Sequence, residues 1–272
     1  MTGRTRLAAH RGGAALWAEN SLLAFRNALG LDSDLIEFDV HLTADGALAV
    51  IHDPTLDRTT SASGPVAAHT AAELGRARLR GPGGALTDER VPLLDEVLAL
   101  VAPSRAGLLV EVKGPVAGVG VRYERRGGRA AAAVPGPRYE GLEERLIASL
   151  RGAGLLSRAT IMAFNPDVVA AVRALVPGQR TTLLVSAHHI GQADARPTDA
   201  LDWAVAAGAT DAGLQYTLVN EAVVTAARAA GLLLGVWTVN AERAMRRLVE
   251  LGVDVLTTDR PDVAMRVLGR AS

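Results

Sequence analysis

The chain has 272 residues, with 29 Lys plus Arg matched by 29 Asp plus Glu, no Cys, 49% hydrophobic and 3% aromatic residues. Zero formal charge argues against a nucleic-acid binder, which needs a net basic face, and the lack of Cys excludes a disulfide framework, a thiolate metal site and a cysteine nucleophile. The length suits a single α/β barrel of about 250 residues better than an aromatic-rich β-sandwich, and no apolar run approaches the roughly 18 residues of a membrane span.

Met1 to Arg6 is too short and polar for a signal peptide, so a soluble, cytoplasmic protein without stable membrane insertion is expected. The first strand, Arg6 to His10, runs into Arg11-Gly12-Gly13, and a helix follows from Asn20 to Leu29, with Asn20 as its cap and Gly30 as its stop. In the second strand, Asp34 to Val40, alternation puts Glu37 and Asp39 on one face and Ile36, Phe38 and Val40 on the other. Asp45-Gly46 reads as a two-residue hairpin turn that folds Ala47 to His52 back, which sets His52 directly opposite Asp39. A polar excursion, 54–90, precedes a helix from Leu93 to Val101. In the third strand, Gly107 to Val112, Glu111 shares its face with Lys113 just beyond, and Lys113 is the only lysine among the 29 cationic side chains. Segment 114–137 carries no pattern; it leaves from the C-terminal end of a strand and is expected as a flexible loop at the catalytic face or a tolerated insertion. Five further strands follow: Thr160 to Ala163, Thr181 to Val185, Asp211 to Leu214, Leu232 to Trp237 and Asp254 to Thr257. Helices separate them, several opened by Asn or Pro (Asn165-Pro166, Asn220, Asn240, Arg260-Pro261) and closed by Gly. Eight βα repeats predict one domain over 1–272, a (β/α)8 TIM barrel with a small insertion after the second strand. No G-x-G-x-x-G follows a strand, which weakens a dinucleotide-binding alternative.

Glu37, Asp39 and Glu111 would face the barrel interior together. Such an oxygen-rich cage suits a hard divalent cation, Mg²⁺ or Ca²⁺, although carboxylates simply paired with buried Arg or Lys give the same pattern. His10 and His52 reach the same region and could divide proton removal and donation between them. His41, His69, His188 and His189 have no comparable setting and are expected on the surface or in loops. Trp237 ends a strand and suits either a wall of the substrate pocket or plain packing.

The motifs His10-Arg11-Gly12, Glu19-Asn20-Ser21, Ile36-Glu37-Phe38-Asp39-Val40, Thr43-Ala44-Asp45-Gly46, His52-Asp53, Asp57-Arg58-Thr59-Thr60, Glu111-Val112-Lys113, Trp237-Thr238-Val239-Asn240 and Thr257-Thr258-Asp259-Arg260-Pro261 resemble those of the glycerophosphodiester phosphodiesterases, nearly end to end. Ala18 and Ser21 depart from the usual Pro and Thr around Glu-Asn, and Ala163-Phe164 from a common Ser-Phe. The resemblance implies a TIM barrel and metal-dependent hydrolysis of small glycerophosphodiesters to glycerol 3-phosphate and an alcohol. It implies Glu37, Asp39 and Glu111 as metal ligands, His10 and His52 as the acid/base pair, and Arg11 and Lys113 as phosphate contacts, with Asn20 beside the metal. It also suggests attack by the substrate's own 2-hydroxyl through a cyclic phosphate. Two other readings are a lysolipid diesterase of phospholipase D type and a non-catalytic barrel binding phosphorylated ligands. Head group, oligomeric state and the division of labour between the histidines are not written in the sequence.

Overall fold

The computed structural model describes residues 4–116, 120–124 and 131–270. Residues 117–119 and 125–130 of the 114–137 segment, whose flexibility was an expectation, lie outside the described residues. The strands are β1 (Arg6–Ala9), β2 (Leu35–Leu42), β3 (Leu48–Val50), β4 (Arg78–Arg80), β5 (Leu86–Arg90), β6 (Gly107–Val112), β7 (Val121–Glu124), β8 (Ala132–Pro135), β9 (Ala159–Ala163), β10 (Arg180–Val185), β11 (Asp211–Gln215), β12 (Leu233–Trp237) and β13 (Val255–Thr258). The parallel order β1-β13-β12-β11-β10-β9-β6-β2 closes through β1–β2 pairing into an eight-stranded barrel, and β3 adds antiparallel to β2 outside that ring. All eight barrel strands fall where sequence reasoning put them, within two residues at either end.

The intervening helices are α1 (Leu22–Gly30), α2 (Ala71–Leu74), α3 (Leu94–Val101), α4 (Leu142–Gly152), α5 (Pro166–Leu175), α6 (Ala187–Gln192), α7 (Asp199–Ala206), α8 (Glu221–Ala229), α9 (Glu242–Leu251) and α10 (Pro261–Val267). Outward strand residues pack beneath them: Ile36, Phe38 and Val40 of β2 are wholly buried with Phe25, Val97 and Leu98, and Phe25 meets Phe38 edge to face at 5.8 Å. Asn165 and Asn220 cap α5 and α8 as their sequence context predicts. Two other expected caps are corrected. Helix α1 starts two residues later than predicted and is capped by Ser21, whose Oγ accepts from Ala24 N at 3.0 Å; α9 starts at Glu242 behind Ala241. Asn20 and Asn240 bond instead to Asp39 and Asp259.

The hairpin after β2 also differs. Val40 pairs with Val50 and Leu42 with Leu48, so Asp39 stands opposite Ile51 rather than His52. The cause is a longer loop: Thr43 Oγ1 accepts from Ala47 N at 2.8 Å and donates to Asp45 at 2.6 Å, which stabilises a five-residue connection in place of a two-residue turn. Excursion 54–90 holds α2 and the β4–β5 hairpin over a small core of its own, formed by Leu56, Val66, Leu74 and Leu79 with Ile51 from the barrel side. The patternless 114–137 segment contains the β7–β8 hairpin. Tyr123 anchors it, buried and stacked on Trp203 at 3.9 Å, while the Trp203 indole N–H donates to Ala131 O. Among the described residues no helix is long and apolar enough to cross a membrane.

Candidate active site

Barrel register assembles the site. Asp39 lies beside Glu111 in the β2–β6 ladder, and Ala9 beside Thr258 in β1–β13, so the next residues, His10 and Asp259, become neighbours. Glu37, Asp39 and Glu111 are buried and each offers a carboxylate oxygen within 4.8 Å of the others. Lys113 Nζ lies 3.0 Å from Asp39 Oδ1 and 2.5 Å from Glu111 Oε1. Asn20, at φ +57°, donates to Asp39 Oδ2 at 2.8 Å, and Arg11 Nε lies 3.3 Å from the same oxygen.

The charges are unevenly shared. Burial opposes ionisation of Asp39, but Lys113, Arg11 and the Asn20 bond hold its carboxyl well below the usual range. Glu37 has no ion pair among the described residues and accepts from the backbone N–H of Arg11 at 2.8 Å. Burial, with Asp39 and Glu111 nearby, pushes it up to about 7. A buried carboxylate short of compensation, within reach of two others and with oxygen the sole donor type, fits a hard divalent cation. Pairing with Arg11 and Lys113 is thus real but incomplete.

The β1 end makes this possible. Arg11, Gly12 and Gly13 take φ of 50°, 80° and 107°, turning the Arg11 amide onto Glu37. A side chain at Gly12 would place its Cβ 2.7 Å from Ala24 Cβ, so only glycine fits beneath α1.

Each candidate acid/base imidazole has its Nδ1 engaged. His10 Nδ1 is 2.6 Å from Asp259 Oδ1. Asp259 Oδ2 accepts from Asn240 Nδ2 at 2.7 Å, and Asn240 Oδ1 accepts from Asp259 N and Thr258 Oγ1. His52 Nδ1 is 2.6 Å from Asp53 Oδ1, while Arg58 bridges Asp53 and Glu19 with bonds of 2.7 to 3.0 Å. The bond from His52 and the Arg58 pairing hold Asp53 far below the usual carboxylate range. Glu19 also accepts from Arg11 Nη1 at 3.0 Å, so both cations are fixed by one acid. With Nδ1 occupied, Nε2 of each ring is the nitrogen left for a substrate.

A cavity of about 780 Å³ opens on this group and is lined by His10, His52, Glu37, Glu111, Lys113 and Trp237. Trp237 spends its N–H on Gly213 O at 2.9 Å and meets Phe164 edge on at 5.4 Å, so it presents an apolar ring to the cavity.

The sequence profile of the glycerophosphoryl diester phosphodiesterase family matches residues 10–263. The chain belongs to that family. It is 31% identical to a glycerophosphodiester phosphodiesterase of Bacillus subtilis over 95% of this chain and 85% of that one. It is also 31% identical to one of Bacillus altitudinis, over 97% and 98%. A glycerophosphodiester phosphodiesterase structure from Agrobacterium tumefaciens shares the fold at TM-score 0.74 and 24% identity, covering 96% and 99% of the two chains. A phosphodiesterase of Oleispira antarctica, solved with the product sn-glycerol-3-phosphate, shares it at 0.76 and 23%, covering 98% and 97%. The protein is accordingly a phosphoric diester hydrolase of the glycerophosphodiester type, which sets aside the non-catalytic reading.

In this family member all nine site residues singled out from sequence converge on one face: His10, Arg11, Asn20, Glu37, Asp39, His52, Glu111 and Lys113 around the carboxylates, with Trp237 at the cavity wall. Roles for Asp53, Arg58, Asp259 and Asn240 were not foreseen. For Asp259 a signal existed, since closing an eight-stranded barrel puts the end of the last strand beside the first. Two histidines expected at the surface are fully buried. His189 is shut in beside Tyr123 and Phe164. His41 shares the inward parity of Glu37 and Asp39, and burial pulls its imidazole down to about 4.

Proposed function

We propose that the chain cleaves glycerophosphodiesters to glycerol 3-phosphate and an alcohol with a divalent cation, Mg²⁺ or Ca²⁺, held by Glu37, Asp39 and Glu111, and with His10 and His52 as the acid/base pair. The observation that carries this reading is two imidazoles, each backed at Nδ1 by its own carboxylate, opening on one cavity with Glu37 and Glu111 of the acidic triad. The product bound in the Oleispira antarctica relative supports glycerol 3-phosphate as the moiety retained.

The bound cation would supply Lewis-acid stabilisation of charge on the phosphoryl oxygens. Arg11 and Lys113 would bind the remaining phosphoryl oxygens, exchanging part of their contact with the carboxylates for the substrate. Asp259 and Asp53 hold the rings in the tautomer with a bare Nε2 and stabilise the imidazolium formed on taking a proton. One Nε2 would remove the proton from the attacking oxygen and the other, protonated, would donate to the leaving alcohol oxygen. Asn20 would keep Asp39 oriented, and Trp237 would wall the carbon side of the glycerol. Release of glycerol 3-phosphate from glycerophosphocholine, measured with Mg²⁺ or Ca²⁺ and abolished by chelation, is the expected result. No turnover of any glycerophosphodiester with either metal would reject the proposal.

A further inference from the structure

Strand β3 ends at Val50, and Ile51 N still donates to Asp39 O at 3.1 Å, so His52 lies just past the last ladder contact. Its carbonyl is nevertheless held, because His41 Nε2 sits 3.0 Å from His52 O. The other nitrogen, Nδ1, is 3.0 Å from the Tyr139 hydroxyl, with the rings edge to face. A carbonyl can only accept, so Nε2 carries the proton; a neutral ring then has a bare Nδ1, and the phenol O–H donates to it. With the proton on Nδ1 instead, two lone pairs would face each other across the Nε2 contact. One arrangement satisfies all three groups, and His41 is fully buried, where an unmade bond is costly. Tyr139 stands where the chain returns from the β7–β8 hairpin towards α4.

We propose that His41 is a positioning residue for His52: a chain of bonds from Tyr139 through His41 fixes the peptide that carries the candidate acid/base imidazole, and ties its placement to the returning end of the hairpin excursion. The proposal rests on reading His52 as one of the acid/base pair. Nothing in it requires His41 to touch substrate or to exchange a proton.

The test has an arm independent of activity. In ¹⁵N-edited spectra of the full-length protein, His41 should show the Nε2–H tautomer with a proton slow to exchange, and Tyr139→Phe should speed that exchange. Kinetics form the second arm. His41→Phe should lower kcat about fivefold to tenfold, the loss expected from one buried positioning bond, with KM changed less than twofold. His41→Gln, whose amide can donate to His52 O and accept from Tyr139, should recover most of the rate. Tyr139→Phe should lose a few-fold alone and add nothing in the His41→Phe background. An Nδ1–H tautomer, a folded His41→Phe enzyme with kcat within twofold of wild type, or a His41→Gln enzyme no better than His41→Phe would overturn the proposal. If His41→Phe does not fold, exchange and turnover in His41→Gln and Tyr139→Phe decide by the same criteria. Absence of turnover in the wild type would instead defeat the reading of His52, and this positioning role with it; an Nδ1–H ring in an active enzyme defeats the positioning role alone.

Discussion

Glu37→Gln should make the metal-free protein more stable while destroying the proposed metal site. Glu37 is almost completely buried, and its pKa rises from an ordinary 4.5 to about 7 in the folded chain. Between those values the folded state binds more protons than the unfolded one, so this group's contribution to stability falls as pH rises and is lowest above pH 7. At 1.36 kcal/mol per unit, the penalty reaches about 3 kcal/mol. Glutamine keeps an oxygen for the Arg11 amide, and its NH₂ can donate to the neighbouring carboxylates. In EDTA, the variant should match wild type near pH 4.5 and exceed it by about 3 kcal/mol at pH 8, a gain in Tm of about 6 to 10 °C for a domain of this size. Denaturation of both proteins at pH 5, 6, 7 and 8 measures the divergence, and calorimetric titration with Mg²⁺ or Ca²⁺ should show binding by wild type only. A variant no more stable than wild type at pH 8, or a gap that does not widen from pH 5 to 8, would refute the claim that Glu37 is under-compensated.

His10→Ala and His52→Ala should each lose about two orders of magnitude or more in kcat with the fold intact, and near-normal turnover in either rejects its acid/base role. Asp259→Asn should keep the distance to His10 yet lower kcat by at least about a hundredfold, because an amide can present its N–H to Nδ1 and favour the wrong tautomer; unchanged kcat would show that Asp259 only packs. Lys113→Arg should lower kcat/KM at least about tenfold, because a planar guanidinium cannot sit as a point charge between Asp39 and Glu111, and an unimpaired enzyme would deny the lone lysine a special role.

The barrel was legible because its signals are local and repeated. Strand alternation put Glu37 and Asp39 on the inner face and Phe38 on the outer one, and the buried Phe25–Phe38 contact shows that division realised. Short apolar runs separated by capped helices located every barrel strand. What failed depended on competition between neighbouring side chains. Asn20 and Ser21 can both cap a helix; Ser21 does so because Asn20 is drawn to Asp39. The hairpin was misjudged by one residue because Thr43 bonds across the loop, a contact that Asp45-Gly46 gives no hint of. The β7–β8 hairpin escaped notice because Tyr123 finds its partner, Trp203, eighty positions away.

The triad and both histidines were legible as types at spacings, whereas the groups that make the two histidines unequal were not. Asp53 shares its charge with Arg58, a cation bonded to two acids, while Asp259 is backed by the neutral amide of Asn240. The carboxylate facing His52 is therefore tied to a guanidinium, whereas the one facing His10 is hydrogen-bonded to an amide. His10 also lies close enough to Glu37 to oppose that carboxyl's upward shift. Two like residues thus sit in different surroundings, an asymmetry that the proposed split between proton removal and proton donation would use.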